Sequence, residues 1–98
     1  MVVLVTGSAG FIGANLVMRL LKGGEPLKIV GLDNMNDYYD PSLKEYRLRC
    51  IESLAAEHPE HKYTFVRGNI ADKALVESLF EEYKFDIVVN LAAQAGVR

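Results

Sequence analysis

Ninety-eight residues, half of them apolar and 24% charged, make one ordinary globular domain at most and give disorder no compositional support. A net charge of −2, with 11 Lys and Arg scattered along the chain, excludes a nucleic-acid surface and an anionic-membrane surface. The lone cysteine, Cys50, excludes an intramolecular disulfide, and no apolar run is long enough to span a bilayer.

Met1–Thr6 (MVVLVT) is a short, β-branched apolar run that stops at Gly7, the pattern of a strand buried on both faces of a parallel sheet. Asn15 and Arg19 interrupt the next apolar stretch, which excludes a signal peptide and, with the single thiol, leads us to expect a cytoplasmic protein. From Phe11 to Leu21 the residues Ile12, Leu16 and Leu20, flanked by Val17 and Leu21, recur at helical spacing, and Gly23-Gly24 ends the helix. Leu27–Leu32 (LKIVGL) reads as a second strand.

Asp33–Asp40 (DNMNDYYD) has no period and reads as a loop. Asp40 then looks like an N-cap, with Pro41 in the first helical position. Leu43, Tyr46, Cys50 and Leu54 mark the expected buried face of this second helix, which ends near His58-Pro59. That places Cys50 in the core and not at a nucleophile's position. Tyr63–Arg67 is a third strand. Asp72 can cap a third helix with Leu75, Val76, Leu79, Phe80 and Tyr83 as its stripe, and Phe85–Leu91 (FDIVVNL) is the fourth strand.

Strands alternating with helices predict an α/β chain of Rossmann type: three αβα layers and a partial parallel sheet in the order 3-2-1-4. Residues 1–98 then form the N-terminal part of a dinucleotide-binding domain. Ligands of such sheets bind at the carboxyl ends of the strands, beside the switch point between strands 1 and 4. The distinctive residues of this sequence fall there.

Gly7-Ser8-Ala9-Gly10-Phe11-Ile12-Gly13 is the strongest of them. Gly7 permits a tight turn out of strand 1. Gly10 lets backbone N–H groups approach a pyrophosphate, and Gly13 allows close helix packing. The helix N-terminus supplies unpaired N–H groups and a positive dipole end. A loop for a nucleoside triphosphate is excluded, because no Gly-Lys-Ser/Thr comes after it.

Asp33 ends strand 2, twenty positions after Gly13, where a carboxylate can accept hydrogen bonds from the adenosine ribose. A solvated loop aspartate is the alternative; the glycine loop at the matching distance decides for the ribose. The same carboxylate would repel the 2′-phosphate of NADP, and no arginine stands next to it in sequence, so NAD is the expected cofactor. Asn69-Ile70, after strand 3, either frames an adenine edge or forms a turn. The small residues of Asn90-Leu91-Ala92-Ala93 either let a dinucleotide cross the sheet closely or simply pack tightly. His58 and His61 stand three apart without a cysteine partner, so no metal site is expected.

With these residues in view, the chain resembles the extended short-chain dehydrogenase/reductase family, and within it the NAD-dependent epimerases and dehydratases. The glycine pattern is Gly-x-x-Gly-x-x-Gly, as in that family. The stretches GLDNMNDYYDPSLKEYRL and NLAAQAGVR look like those of UDP-glucuronate 4-epimerases. The resemblance implies that NAD stays bound and is recycled, while a tyrosine takes the proton of the sugar's 4-hydroxyl and a hydride passes to the nicotinamide. The flat 4-keto sugar then turns over and takes the hydride back on its other face. A lysine four residues after the tyrosine tunes it, and a serine or threonine helps hold the substrate.

Carried over by position, Gly7, Gly10, Phe11, Ile12 and Gly13 would meet the pyrophosphate, Asp33 and Asn34 the ribose, and Asn69 and Ile70 the adenine. Leu91, Ala92 and Ala93 would line the path toward the nicotinamide, with Gln94 at its edge and Arg98 near the substrate's acidic groups. Asn69 departs from the aspartate usual at its position, which implies a weaker adenine contact.

None of the five tyrosines has a lysine four positions later. The resemblance therefore puts the catalytic pair, its serine or threonine and the UDP-sugar site beyond residue 98, with no catalytic residue in this fragment. A sugar-nucleotide 4,6-dehydratase fragment and a non-catalytic NAD-binding module are the competing readings. An unprotected fourth strand, apolar with a single charge, leads us to expect self-association, most simply as a homodimer.

Overall fold

The computed structural model describes residues 1–35 and 41–92. Seven elements run in the expected order: β1 (Val2–Thr6), α1 (Phe11–Leu21), β2 (Lys28–Asp33), α2 (Pro41–Glu57), β3 (Lys62–Arg67), α3 (Lys73–Glu82) and β4 (Ile87–Asn90). The strands are all parallel, in the order β3-β2-β1-β4. β1 lies between two neighbours, and Val3, Leu4, Val5 and Thr6 are buried. That is why its sequence shows no alternation.

Register decides which side chains share a face. Leu4 stands beside Val30 and Val88, and Val5 beside Gly31 and Val89. Val3, Val5 and Ile29 pack against Ala14, Val17 and Leu21 of α1 and Ile51 of α2. On the opposite face Leu4, Val30 and Leu32 meet Leu79 of α3, with Leu75, Tyr83 and Phe85 around them. Two helices on one side and one on the other give the three layers of a Rossmann-type fold.

The helix faces differ in detail from the sequence reading. In α1 the buried residues are Gly13, Ala14, Val17 and Leu21, whereas Ile12 is 66% exposed. Gly13 must sit against the preceding loop, and this turns the stripe by one residue. In α2, Leu43 and Tyr46 are exposed, Cys50 is half-buried, and Ile51 is fully buried. The inward face runs through Lys44, Arg47, Leu48, Ile51, Leu54 and Ala55, because two cations of its first half find acceptors at the top of the sheet. In α3, Leu79 is buried but Phe80 is exposed, set edge-on to Phe85. Asp72 caps α3 as expected, its carboxylate accepting from the Leu75 N–H at 3.2 Å. The expected cap at Asp40 lies outside the described residues.

Two buried polar side chains were not anticipated. His61 joins two loops: Nδ1 accepts from the Leu27 N–H at 3.0 Å, and Nε2 lies 2.9 Å from the Gly23 carbonyl. Those partners require the tautomer protonated on Nε2. Tyr63 points over Gly31 toward Ser8, and neither hydroxyl has a hydrogen-bond partner among the described residues. A Cβ at position 31 would lie 2.7 Å from Ser8 Oγ and 3.4 Å from Tyr63 Oη.

At the other side of the sheet β4 pairs with β1, and Ile87 and Val88 are exposed. No described helix is long and apolar enough to cross a membrane.

Ile51→Ala should lower the unfolding free energy by about 2–5 kcal/mol, because a fully buried side chain leaves a cavity. Leu43→Ala, on the exposed face, should cost about 1 kcal/mol or less. Urea unfolding of the two variants checks the assignment of the α2 face, and equal losses would contradict it. Tyr63 yields a second expectation. Burial, reinforced by the charges of Glu52 and Asp33, pushes its phenol up from the usual tyrosine range. The folded chain thus holds this proton when an unfolded tyrosine ionises near about pH 10, so stability from this group is full below that pH and lost as pH rises above it. Tyr63→Phe should shift the alkaline unfolding midpoint upward, read by circular dichroism.

Candidate dinucleotide-binding site

The loop between β1 and α1 is shaped by backbone contacts. Gly7 has φ +70°, and its N–H donates to the Leu32 carbonyl at 2.7 Å. A Cβ on Gly7 would also lie 2.8 Å from the Leu91 carbonyl carbon. One on Gly13 would collide with the Gly7 carbonyl oxygen. The helix thus sits on the loop itself, and both positions require glycine. Gly10 is the N-cap of α1, with extended backbone and no side-chain cap. The first-turn N–H groups of α1 are left for a ligand. Phe11 and Ile12 stand exposed at this mouth.

Asp33 closes the adjacent side and is 4% exposed. Its Oδ2 accepts from the Ala9 N–H at 3.0 Å, and its Oδ1 from the Met35 N–H at 2.7 Å. Lys44 Nζ lies 2.9 Å from the same Oδ1, reaching in from α2. The carboxylate therefore ties the glycine loop, the end of β2 and α2 together. Met35 carries a positive φ of 63°, which brings its N–H back onto Asp33. Asn34 is exposed beside them. The sequence shows no arginine next to Asp33, but the fold brings a different cation to it: Lys44, from eleven residues further along the chain.

The third wall is the end of β4. Thr6 Oγ1 donates to Asn90 Oδ1 at 2.5 Å and accepts from the Leu91 and Ala92 N–H groups at 3.0 and 3.2 Å. That uses the full capacity of one hydroxyl. It fixes the backbone of Leu91 and Ala92 directly against Gly7.

Asn69 and Ile70 come after β3. Asn69 Oδ1 accepts from the Ala71 N–H at 2.8 Å, and its carbonyl accepts from the Asp72 N–H at 2.9 Å, so this side chain shapes the turn into α3. Ile70 packs on the core beneath α3. Ala93, Gln94 and Arg98 lie outside the described residues. Among the described residues no group of three or more His, Cys, Asp and Glu is placed to hold a metal ion.

Three residues at the site were missed by sequence reasoning. Thr6 read only as a strand end. Lys44 and Arg47 fell outside the stripe of Leu43, Tyr46, Cys50 and Leu54 that marked the expected face of the second helix. In the structure Arg47 Nη1 donates to the Ala9 carbonyl at 3.3 Å, and its guanidinium lies 5.9 Å from the centre of the Phe11 ring. Their spacing of three places them on one helix face. That signal was present but gave no indication of which way the face points.

Comparison with known proteins agrees with this geometry. The family model described as GDP-mannose 4,6 dehydratase matches residues 4–98. UDP-glucuronate 4-epimerase 3 of Arabidopsis thaliana is 47% identical over 96 residues, covering 98% of this chain and 20% of that protein. Two solved structures overlay well. dTDP-glucose 4,6-dehydratase of Bacillus anthracis, in complex with NAD, gives a TM-score of 0.73 at 35% identity, over 97% of this chain and 27% of that one. UDP-glucose 4-epimerase of Bifidobacterium longum, in complex with NAD+ and UDP, gives 0.72 at 26% identity, over 96% of this chain and 25% of that one. The chain thus spans 20% to 27% of the length of these proteins. Because the family match runs from residue 4 to residue 98, the chain belongs to the GDP-mannose 4,6 dehydratase family of NAD-dependent epimerases and dehydratases.

Proposed function

We propose that this segment binds NAD for a sugar-nucleotide epimerase whose whole interconverts UDP-glucuronate and UDP-galacturonate through a 4-keto intermediate. The observation that carries the reading is the uncapped start of α1, open over Gly10 and flanked by the buried carboxylate of Asp33. A pyrophosphate fits the first, and the ribose of the same dinucleotide fits the second.

Each wall has a task in this reading. The N–H groups at Phe11, Ile12 and Gly13 hold the pyrophosphate. Asp33 accepts from the ribose hydroxyls, with Asn34 beside it. Asn69 and Ile70 border the adenine. Leu91 and Ala92, held down by Thr6, leave the dinucleotide room to cross the sheet toward Ala93 and Gln94, with Arg98 toward the substrate. NAD, when bound, supplies reversible hydride acceptance from the sugar. The residues of this chain bind and orient it, and none of them is placed in the reaction as acid or base.

The epimerase reading is supported by 47% identity to a UDP-glucuronate 4-epimerase over 96 residues. The 35% identity to a dTDP-glucose 4,6-dehydratase supports a dehydratase as the second reading. Both need the same cofactor site. The exposed Ile87 and Val88 of β4 support self-association of the isolated chain.

Calorimetry on the chain should show NAD binding more tightly than NADP, and Asp33→Asn should narrow the difference. A preference left unchanged by Asp33→Asn would remove Asp33 from the ribose site. The chain alone should turn over no UDP-glucuronate, since it lacks a positioned tyrosine–lysine pair. A longer protein containing this segment should form UDP-galacturonate from UDP-glucuronate in an NAD-loaded assay. Formation of a 4-keto-6-deoxy sugar in its place would favour the dehydratase.

A further inference from the structure

Asp33 is an acidic residue whose charge is already matched inside the fold. Lys44 Nζ lies 2.9 Å from Oδ1, with the two side chains 15% and 2% exposed. A carboxylate oxygen offers about two good acceptor positions, and those of Oδ1 are taken by the Met35 N–H and by Lys44. On Oδ2 one position is taken by the Ala9 N–H. The carboxylate thus presents almost no net charge to the ribose it is proposed to receive, because a cation stands within hydrogen-bond distance of it.

That arrangement changes how the site distinguishes two dinucleotides that differ by a single phosphate on the ribose 2′ oxygen. A bare carboxylate repels the added phosphate through charge. A carboxylate paired with an ammonium repels it far less, and the ammonium, on a flexible four-carbon stem, can turn toward a phosphate oxygen. Toward an unphosphorylated ribose the same ammonium acts as a competitor, because it occupies the acceptor that a ribose hydroxyl would use.

We infer that Lys44 is a specificity-determining residue that holds the preference for NAD over NADP to a small margin. The inference rests on the reading that Asp33 receives the adenosine ribose. Lys44 lowers the penalty on the 2′-phosphate by neutralising Asp33, and it weakens NAD by filling Oδ1. Arg47, one helical turn further on, is engaged by the Ala9 carbonyl and the Phe11 ring, so it serves the pyrophosphate side of the loop and leaves the ribose side to Lys44.

The test is isothermal calorimetry of NAD and of NADP on the chain, on Lys44→Gln and Lys44→Arg, and on Asp33→Asn. Lys44→Gln keeps an N–H donor for Oδ1 and removes the charge; Lys44→Arg keeps the charge. Thermal melts establish that each variant is folded. The ratio of NADP to NAD dissociation constants should rise by about threefold or more in Lys44→Gln, the scale of one partly screened ion pair. It should stay near the unsubstituted value in Lys44→Arg and fall in Asp33→Asn.

A ratio unchanged in Lys44→Gln, while Asp33→Asn lowers it, overturns the role of Lys44 and leaves the ribose reading intact. A ratio unchanged in Asp33→Asn overturns the ribose reading itself. If Lys44→Gln weakens both dinucleotides equally, Lys44 is a direct ribose ligand or a structural brace, and the inference fails.

Discussion

Three backbones meet at Gly7. Its N–H is held by the end of β2, its carbonyl lies under Gly13 at the start of α1, and its Cα lies against Leu91 at the end of β4. No side chain fits there, and the positive φ excludes most residues with a Cβ. Everything the site offers depends on this contact. It brings the start of α1 close enough to the sheet for its free N–H groups to open onto the crevice between β1 and β4. It also sets how near a ligand can pass over Leu91 and Ala92.

The second constraint is electrostatic, and it is organised by the same loop. A carboxylate with 4% exposure is costly to bury unless its lone pairs are satisfied. Asp33 meets that need with one N–H from the glycine loop, one from its own β2 exit and an ammonium from α2. Without the loop conformation set by Gly7, Ala9 would not present its N–H, and the carboxylate would lose its anchor. Support for the glycine loop, the exit of β2 and the first half of α2 therefore falls on one side chain.

Much of this was legible in the sequence. Strand and helix order, the parallel sheet and the placement of Gly7, Gly13 and Asp33 all derive from short-range signals: an apolar run, a glycine spacing, a cap. The parts that were not legible depend on rotation of a helix about its axis. Leu43, Tyr46 and Cys50 form as good a helical stripe on paper as Lys44, Leu48 and Ile51, and periodicity does not say which faces the sheet when one stripe is apolar and the other mixed. What decides is long-range: Asp33 and the Ala9 carbonyl sit above the sheet and hold the cations of α2 inward. The roles of Thr6, His61 and Tyr63 were hidden for a similar reason. Each depends on a partner or neighbour distant in sequence, such as Leu91 for Thr6 and Leu27 for His61.

The same division makes α2 only weakly amphipathic over its length. Its first half faces a polar rim and carries Lys44 and Arg47 there. Its second half faces the hydrophobic layer and carries Ile51, Leu54 and Ala55. One helix thus has two inward faces of different chemistry along a single stripe. A purely apolar stripe would bury more hydrocarbon, but it would leave Asp33 without its cation and the Ala9 carbonyl without its donor. The burial forgone at two positions on α2 is of the order of 1.5–3 kcal/mol for each large side chain. An uncompensated buried charge costs at least as much. The mixed stripe is therefore the arrangement that lets a carboxylate stand buried beside the glycine loop at all.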